Sequence, residues 1–444
     1  MGVRGLEQRH AGPVLREPAC QREADRTGTD NGDVDHESLH SRNALRQVTA
    51  VTREARRPLS RSGPAVLSLL SSAIPPGVLA VLVSTRVALT LVGVLAIALI
   101  PSGQPTELSP PTGIAALDAW TRWDGPFYVQ IAQSGYDARP PLPTIVFFPL
   151  YPALIRVVAA IGGGSSLALW MAAVAISLAS LATAVGYLIA LARLDFGDRV
   201  ARRAALYLLV FPTSLFLSAV YPESLFLALT LACFYYARRE TWWLVGILGL
   251  AASLTRPYGA LLIIPLAFEY LLQKGFDWRR VRPDVLWIGL VPLGLAAFLA
   301  YIAWKFQDPE VMGRAQDIWG RGAVAPWEVL ARYLNGPVIL HGFSTLGSSL
   351  VDLSFVFFFA AMVVVAWRRL RPTYAIYATL LLAAFVSSGK FISVPRYGLA
   401  LFPVFLGLAL LTDEDDPRHN AVMSASLILA GLAMALFATV RWVA

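Results

Sequence analysis

Val78 to Ile100 reads VLAVLVSTRVALTLVGVLAIALI and Leu167 to Leu191 reads LALWMAAVAISLASLATAVGYLIAL; these two stretches decide the class of the chain. At ~1.5 Å of rise per residue, each is long enough to carry a helix across the ~30 Å hydrocarbon layer of a bilayer. A membrane β-barrel would instead show ~10-residue segments of strict apolar and polar alternation, which these runs lack. The spans are therefore helical. The rest of the chain agrees, since 56% of its 444 residues are hydrophobic and only 15% are charged. Its mean hydropathy is +0.58, outside the soluble globular range.

Working outward, the basic residues separate the apolar runs. Arg53, Arg56, Arg57 and Arg61 precede the first span, and further clusters fall at Arg193 to Arg203, Arg238 to Arg239, Lys274 to Arg282 and Arg368 to Arg371. That arrangement follows the positive-inside rule, so the net charge of +8 points to membrane topology and not to nucleic acid. It places the N-terminus in the cytoplasm and the segment after the first span outside. Residues 1–64 mix charged, Gly and Ser residues without an apolar core, so they read as a disordered cytoplasmic tail, neither a signal peptide nor a myristoylated anchor. The two cysteines, Cys20 and Cys233, indicate neither a disulfide framework nor a thiolate metal site.

Topology gives a parity test. Passing from an outer loop at 101–144 to the inner cluster near 193 needs an odd number of crossings, yet two apolar runs intervene, Ile145 to Ile161 and Leu167 to Leu191. The first holds Pro149, Pro152 and Arg156 and reads as interfacial or re-entrant. About eleven transmembrane helices follow. We expect a catalytic transmembrane module over 65–304, a large outer loop at 305–350, and C-terminal transmembrane helices over 351–444. On this topology Tyr221-Pro222-Glu223, Arg256-Pro257-Tyr258-Gly259 and Lys390 to Arg396 share the outer face.

That face holds the candidates for chemistry. Asp124 stands beside Trp123 among the aromatics of Arg122 to Tyr136, where a partly desolvated carboxylate can serve as general base toward a hydroxyl. The plainer alternative is a solvated loop aspartate. Asp118 competes for the role, although spacing does not put it on one helix face with Asp124. Glu223, Arg256 and Arg396 interrupt apolar runs at a cost of ~2.5 to 3.5 kcal/mol each on insertion scales, and guanidinium suits a lipid-phosphate leaving group. Snorkelling arginines and a Glu-Arg pair are the structural alternatives. Tyr258 and Tyr397 follow those arginines and can bond sugar or phosphate, or sit as belt tyrosines. His341 has no partner at metal spacing, and no P-loop, GxSxG or HExxH motif occurs. No cofactor is expected, and assistance by a divalent cation stays open on the sequence.

Five blocks in order carry a resemblance: Trp123-Asp124 to Gly135-Tyr136; Phe147-Phe148-Pro149-Leu150-Tyr151-Pro152; Phe211-Pro212 with Tyr221-Pro222-Glu223; Leu254-Thr255-Arg256; and Pro395-Arg396-Tyr397. Together, over about 80–411, they resemble the PIG-V family, the GPI mannosyltransferase 2 enzymes and their bacterial relatives. The resemblance implies an all-α polytopic membrane protein of GT-C glycosyltransferase architecture, with interfacial helices in the first outer loop and a catalytic aspartate that maps onto Asp124. It implies a polyprenyl-phosphate sugar donor, mannose as the sugar, a glycolipid, glycan or protein acceptor, and membrane lipids as surroundings. Trp123, Asp118, Tyr128, Glu223, Arg256, Tyr258, Arg396 and Tyr397 are the expected substrate contacts. One departure touches the acceptor: GPI-type members show a histidine where this chain has Pro126-Phe127-Tyr128. The expected setting is a multi-pass protein of the cell membrane with its site on the outer face. The competing class is a membrane transporter or lipid flippase, which calls for repeated halves around a midplane site; no repeat is visible.

Overall fold

A computed structural model describes residues 74–103, 112–335, 338–339, 348–441 and 443. The tail at 1–64 and His341 therefore lie outside the described residues. The helices in chain order are α1 (Pro76–Leu99), α2 (Ala115–Asp118), α3 (Gly125–Ser134), α4 (Leu150–Ile161), α5 (Ser166–Val210), α6 (Glu223–Arg238), α7 (Trp242–Thr255) and α8 (Ile263–Gln273). They continue with α9 (Leu293–Phe306), α10 (Val311–Ile318), α11 (Pro326–Asn335), α12 (Leu350–Arg369), α13 (Pro372–Val386), α14 (Val394–Tyr397), α15 (Phe402–Leu411) and α16 (Asp416–Ala438).

The all-helical membrane character expected from the apolar runs is present. Among the described residues, four helices, α1, α5, α12 and α16, are long and apolar enough to cross a bilayer, and two bent pairs raise the number to six if each pair is one span. On α1, Leu79, Val83, Val87, Leu91 and Leu95 are exposed at intervals of four residues. That is one helical face of apolar side chains with lipid, not water, as its solvent. The remaining helices are shorter than the expected eleven spans require. The apolar run at 257–272 is split into a 3₁₀ turn over Pro257–Leu262 and α8. The run at 204–219 loses its helix after Val210. Helix α4, at 12 residues, rises only ~18 Å and cannot cross by itself, in keeping with its interfacial reading.

The core lies along α5 and α6, which pack on each other, with α7 against α6 and α15 against α5. Ser165 caps α5 by accepting the Ala168 N–H at 3.1 Å, and the helix breaks at Gly197, whose φ of 82° is open to glycine at little cost. Between α5 and α6 the chain is irregular, and its carbonyls are collected by a buried cation of α1. Arg86 donates to the Leu209 carbonyl at 2.6 Å, the Ser214 carbonyl at 2.9 Å and the Ser218 hydroxyl at 3.1 Å. A charge at this depth is tolerated because the broken helix end supplies the oxygens that neighbouring turns do not.

Candidate active site

Four charged residues meet at one end of the bundle, and each stands within two positions of a proline at a helix end. Asp124 is the N-cap residue of α3, two positions before Pro126. Glu223 opens α6 directly after Pro222. Arg256 follows the last turn of α7 in extended backbone, φ −153° and ψ 147°, as the residue before Pro257 must be. Arg396 follows Pro395 in the single-turn α14. Helices interrupted in this way bring backbone and charge to a cavity, the place where broken helices are tolerated in a bilayer.

The side chains form one linear array. Arg396 Nη1 donates to Asp124 Oδ2 at 2.7 Å, its Nε lies 3.3 Å from Glu223 Oε1, and Arg256 Nη2 pairs with the same Glu223 oxygen. Asp124 is held from its backbone as well. Its N–H donates to the Tyr221 hydroxyl at 3.0 Å, and that hydroxyl donates to the Arg122 carbonyl at 3.2 Å. The residue before it, Trp123, has φ 61°, a left-handed conformation that is costly for a bulky side chain and recurs where geometry serves function. Tyr397 is the hub of the cations: the guanidinium carbons of Arg256, Arg396 and Arg321 lie 4.8, 5.0 and 5.4 Å from its ring centre, within cation–π range.

These groups open on a cleft of about 430 Å³ lined by Trp123, Asp124, Tyr128, Arg256, Tyr258, Arg396 and Tyr397. Seven of the nine expected site residues thus share one cavity. Glu223 borders an adjoining void of about 10 Å³ with Arg256, Tyr258 and Tyr397, room for about one water. Its Oε2 and the Nε of Arg256 have no hydrogen-bond partner. Asp118 is not brought to the cleft: it is buried in α2, where its carboxylate accepts the Thr112 N–H at 2.6 Å.

The structure adds residues that the sequence reading did not single out. Arg321 and Lys390 line the cleft. Arg321 donates to Ser388 Oγ at 3.2 Å, Ser393 Oγ at 3.1 Å and the Tyr397 hydroxyl at 3.2 Å. Burial, and then the Arg321 charge, hold the Lys390 ammonium below the ordinary lysine range. Trp319 closes the far wall, packing edge-on against Phe127 and Phe147 at 5.5 and 5.6 Å and donating to the Pro143 carbonyl at 3.1 Å. The available signal was local: Trp319-Gly320-Arg321-Gly322 sets an arginine between two glycines in the connection between α10 and α11.

Residues 77–273 match the family model described as Mannosyltransferase (PIG-V). No protein of curated function matches the chain. Among solved structures, ArnT from Cupriavidus metallidurans bound to undecaprenyl phosphate is 18% identical at a TM-score of 0.47, covering 81% of this chain and 64% of its own. The Archaeoglobus fulgidus oligosaccharyltransferase in the apo form is 14% identical at a TM-score of 0.43, with 82% and 56% covered. This chain therefore spans less than two thirds of either protein's length, and neither likeness is close enough to bear on fold or chemistry. The motif resemblance and the family match coincide on much of the same stretch: residues 77–273 of this chain are similar to the PIG-V mannosyltransferases.

Proposed function

We propose that the protein is an inverting membrane glycosyltransferase of GT-C type that moves mannose from a polyprenyl-phosphate donor to a hydroxyl of a glycolipid, glycan or protein in the cell envelope. The observation that carries the reading is Asp124. It is a carboxylate at the edge of a cleft of ligand size, fixed by Tyr221 at its backbone and by Arg396 at one side-chain oxygen. Its Oδ1 is left to take a proton from an acceptor hydroxyl.

The donor phosphate belongs on the opposite wall. Arg256 and Arg396, the expected phosphate ligands, already face carboxylates, whereas Arg321 and Lys390 have no carboxylate partner among the described residues. Fixed cations at the leaving group lower the barrier because they need no reorganisation when charge develops. Trp123, Tyr128 and Tyr258 supply faces and hydroxyls for the sugar. The N-terminus is assigned to the cytoplasm and the cleft to the outer face on the distribution of basic clusters. The family match supports a transferase over the transporter considered from the sequence.

The test is transfer of labelled mannose from synthetic polyprenyl-phosphate mannose to membrane lipids by purified protein in a bilayer. Wild type is expected to label lipid and Asp124→Asn to lose about 10²- to 10⁴-fold in rate. Equal rates at equal folded protein would remove Asp124 from the role of base.

A further inference from the structure

The charges of the cleft do not balance, and the imbalance sits on one wall. Arg396 and Arg256 answer to Asp124 and Glu223, two guanidiniums for two carboxylates. Among the described residues the Arg321 guanidinium bonds only hydroxyls and faces a tyrosine ring, and no described carboxylate pairs with Lys390. Gly320, at φ 63°, leaves the Lys390 side chain room that a Cβ would fill, so two like charges are packed side by side. The backbone reinforces this wall: Val324 N–H donates to the Ser387 carbonyl at 3.0 Å. Two adjacent cations in a partly desolvated wall repel each other unless an anion lies between them.

We infer that Arg321 and Lys390 form a receptor for the dianionic monoester phosphate of a released polyprenyl lipid, and bind this product more tightly than the monoanionic, sugar-loaded donor. The inference rests on the transfer reaction proposed above. In that reaction the acceptor oxygen bonds to sugar C1 as the bond from C1 to the phosphate oxygen breaks. The electron pair stays on phosphate, and the acceptor proton passes to Asp124. A phosphodiester carries one negative charge, while a phosphate monoester carries about 1.5 to 2 at pH 7. Negative charge therefore moves across the cleft, from Asp124 beside Arg396 to the wall of Arg321 and Lys390. A site with two unneutralised cations matches the charge of the product and overmatches that of the donor. Release of the lipid phosphate then limits turnover, and free lipid phosphate inhibits.

The experiment uses the full chain in detergent, titrated by thermophoresis with farnesyl phosphate and, separately, with its monomethyl diester. With a second phosphate ionisation near pH 6, the dianionic fraction grows about tenfold from about pH 5 to pH 7.5. The monoester Kd should tighten by about that factor while the diester Kd stays constant. Asp124, Glu223, Arg256, Arg396, Tyr128, Tyr258 and Tyr397 face the same cleft and meet both ligands, so the diester cancels their titration. The double variant Arg321→Gln with Lys390→Gln should lose the contrast. Parallel pH responses of the two lipids in wild type overturn the inference and leave the donor class standing, as does a contrast that survives in a double variant with wild-type thermal midpoint. Binding of neither lipid at either pH overturns the inference and the donor class together.

Discussion

Helix α6 carries a buried ion network at each end, and the two are built differently. At its first residue, Glu223 keeps one oxygen without a partner, and the surrounding cleft holds four cations against two carboxylates. At its last residue, Arg238 donates to both oxygens of Asp195 at 2.5 and 2.7 Å. Nearby, Glu269 is gripped by Arg371 Nε and Nη2 at 2.8 and 2.9 Å, by Thr373 at 2.6 Å and by Gln273 at 2.8 Å. Two carboxylates there meet two guanidiniums, and every oxygen of Glu269 is occupied. Both ends complement the helix dipole, with acid at the N-terminus and base at the C-terminus. Only the balanced end reads as a fastener; the unbalanced end keeps unfilled valences for something that arrives.

That contrast can be broken in several places. The largest effect belongs to Asp124→Asn, expected to lower turnover by about two to four orders of magnitude with little change in thermal midpoint. At the fastening end the sign reverses: Glu269→Ala strands the buried Arg371, while Arg238 keeps Asp195, and should destabilise by about 3 to 5 kcal/mol. Thermal unfolding in detergent reads that loss, and an unchanged midpoint would mean that the network fastens nothing. Smaller still, Arg321→Gln should raise donor KM about tenfold, the ~1.4 kcal/mol expected of one charge-assisted hydrogen bond. Because it also relieves repulsion with Lys390, the same variant should melt no lower than wild type. A drop of several degrees would place Arg321 among the fasteners. The subtlest prediction concerns pH. Lys390 is held below the ordinary lysine range, so it loses its proton, and the site its charge, at lower pH than a normal lysine. Donor affinity should fall as pH rises through that depressed value, and Lys390→Arg should flatten the fall.

The apolar runs made membrane-crossing helices legible, because ~20 consecutive apolar residues admit no other solution in lipid. The five motif blocks made the family resemblance legible, and they also assembled most of the site, since Asp124, Arg256 and Arg396 stand close to Pro126, Pro257 and Pro395. What escaped was longer in range. Arg321 and Lys390 come from separate loops, and the Lys390 side chain lies where a Cβ on Gly320 would stand, a placement that no local pattern encodes. Arg86 lies inside a run that reads as a plain span, and its bonds reach across more than 120 residues. The number of spans is hard to read from the sequence for a related reason. Pro222, Pro257 and Pro395 stand inside or beside apolar runs, and hydropathy averages over the breaks that they impose.

Those same breaks bear on how the chain enters a membrane. Helix α6, at 16 residues, rises about 24 Å, less than the ~30 Å of hydrocarbon around it. Released alone into lipid, it would present the open carbonyls and amides of its ends, with Glu223 and Arg238, to a solvent that cannot bond them. Its place is secured only when α5 and α7 flank it and Arg256 and Asp195 reach its two ends. By length, the four long helices suffice to cross on their own hydrophobicity, whereas the short ones that carry the chemistry are tenable in a bilayer only as partners in a bundle.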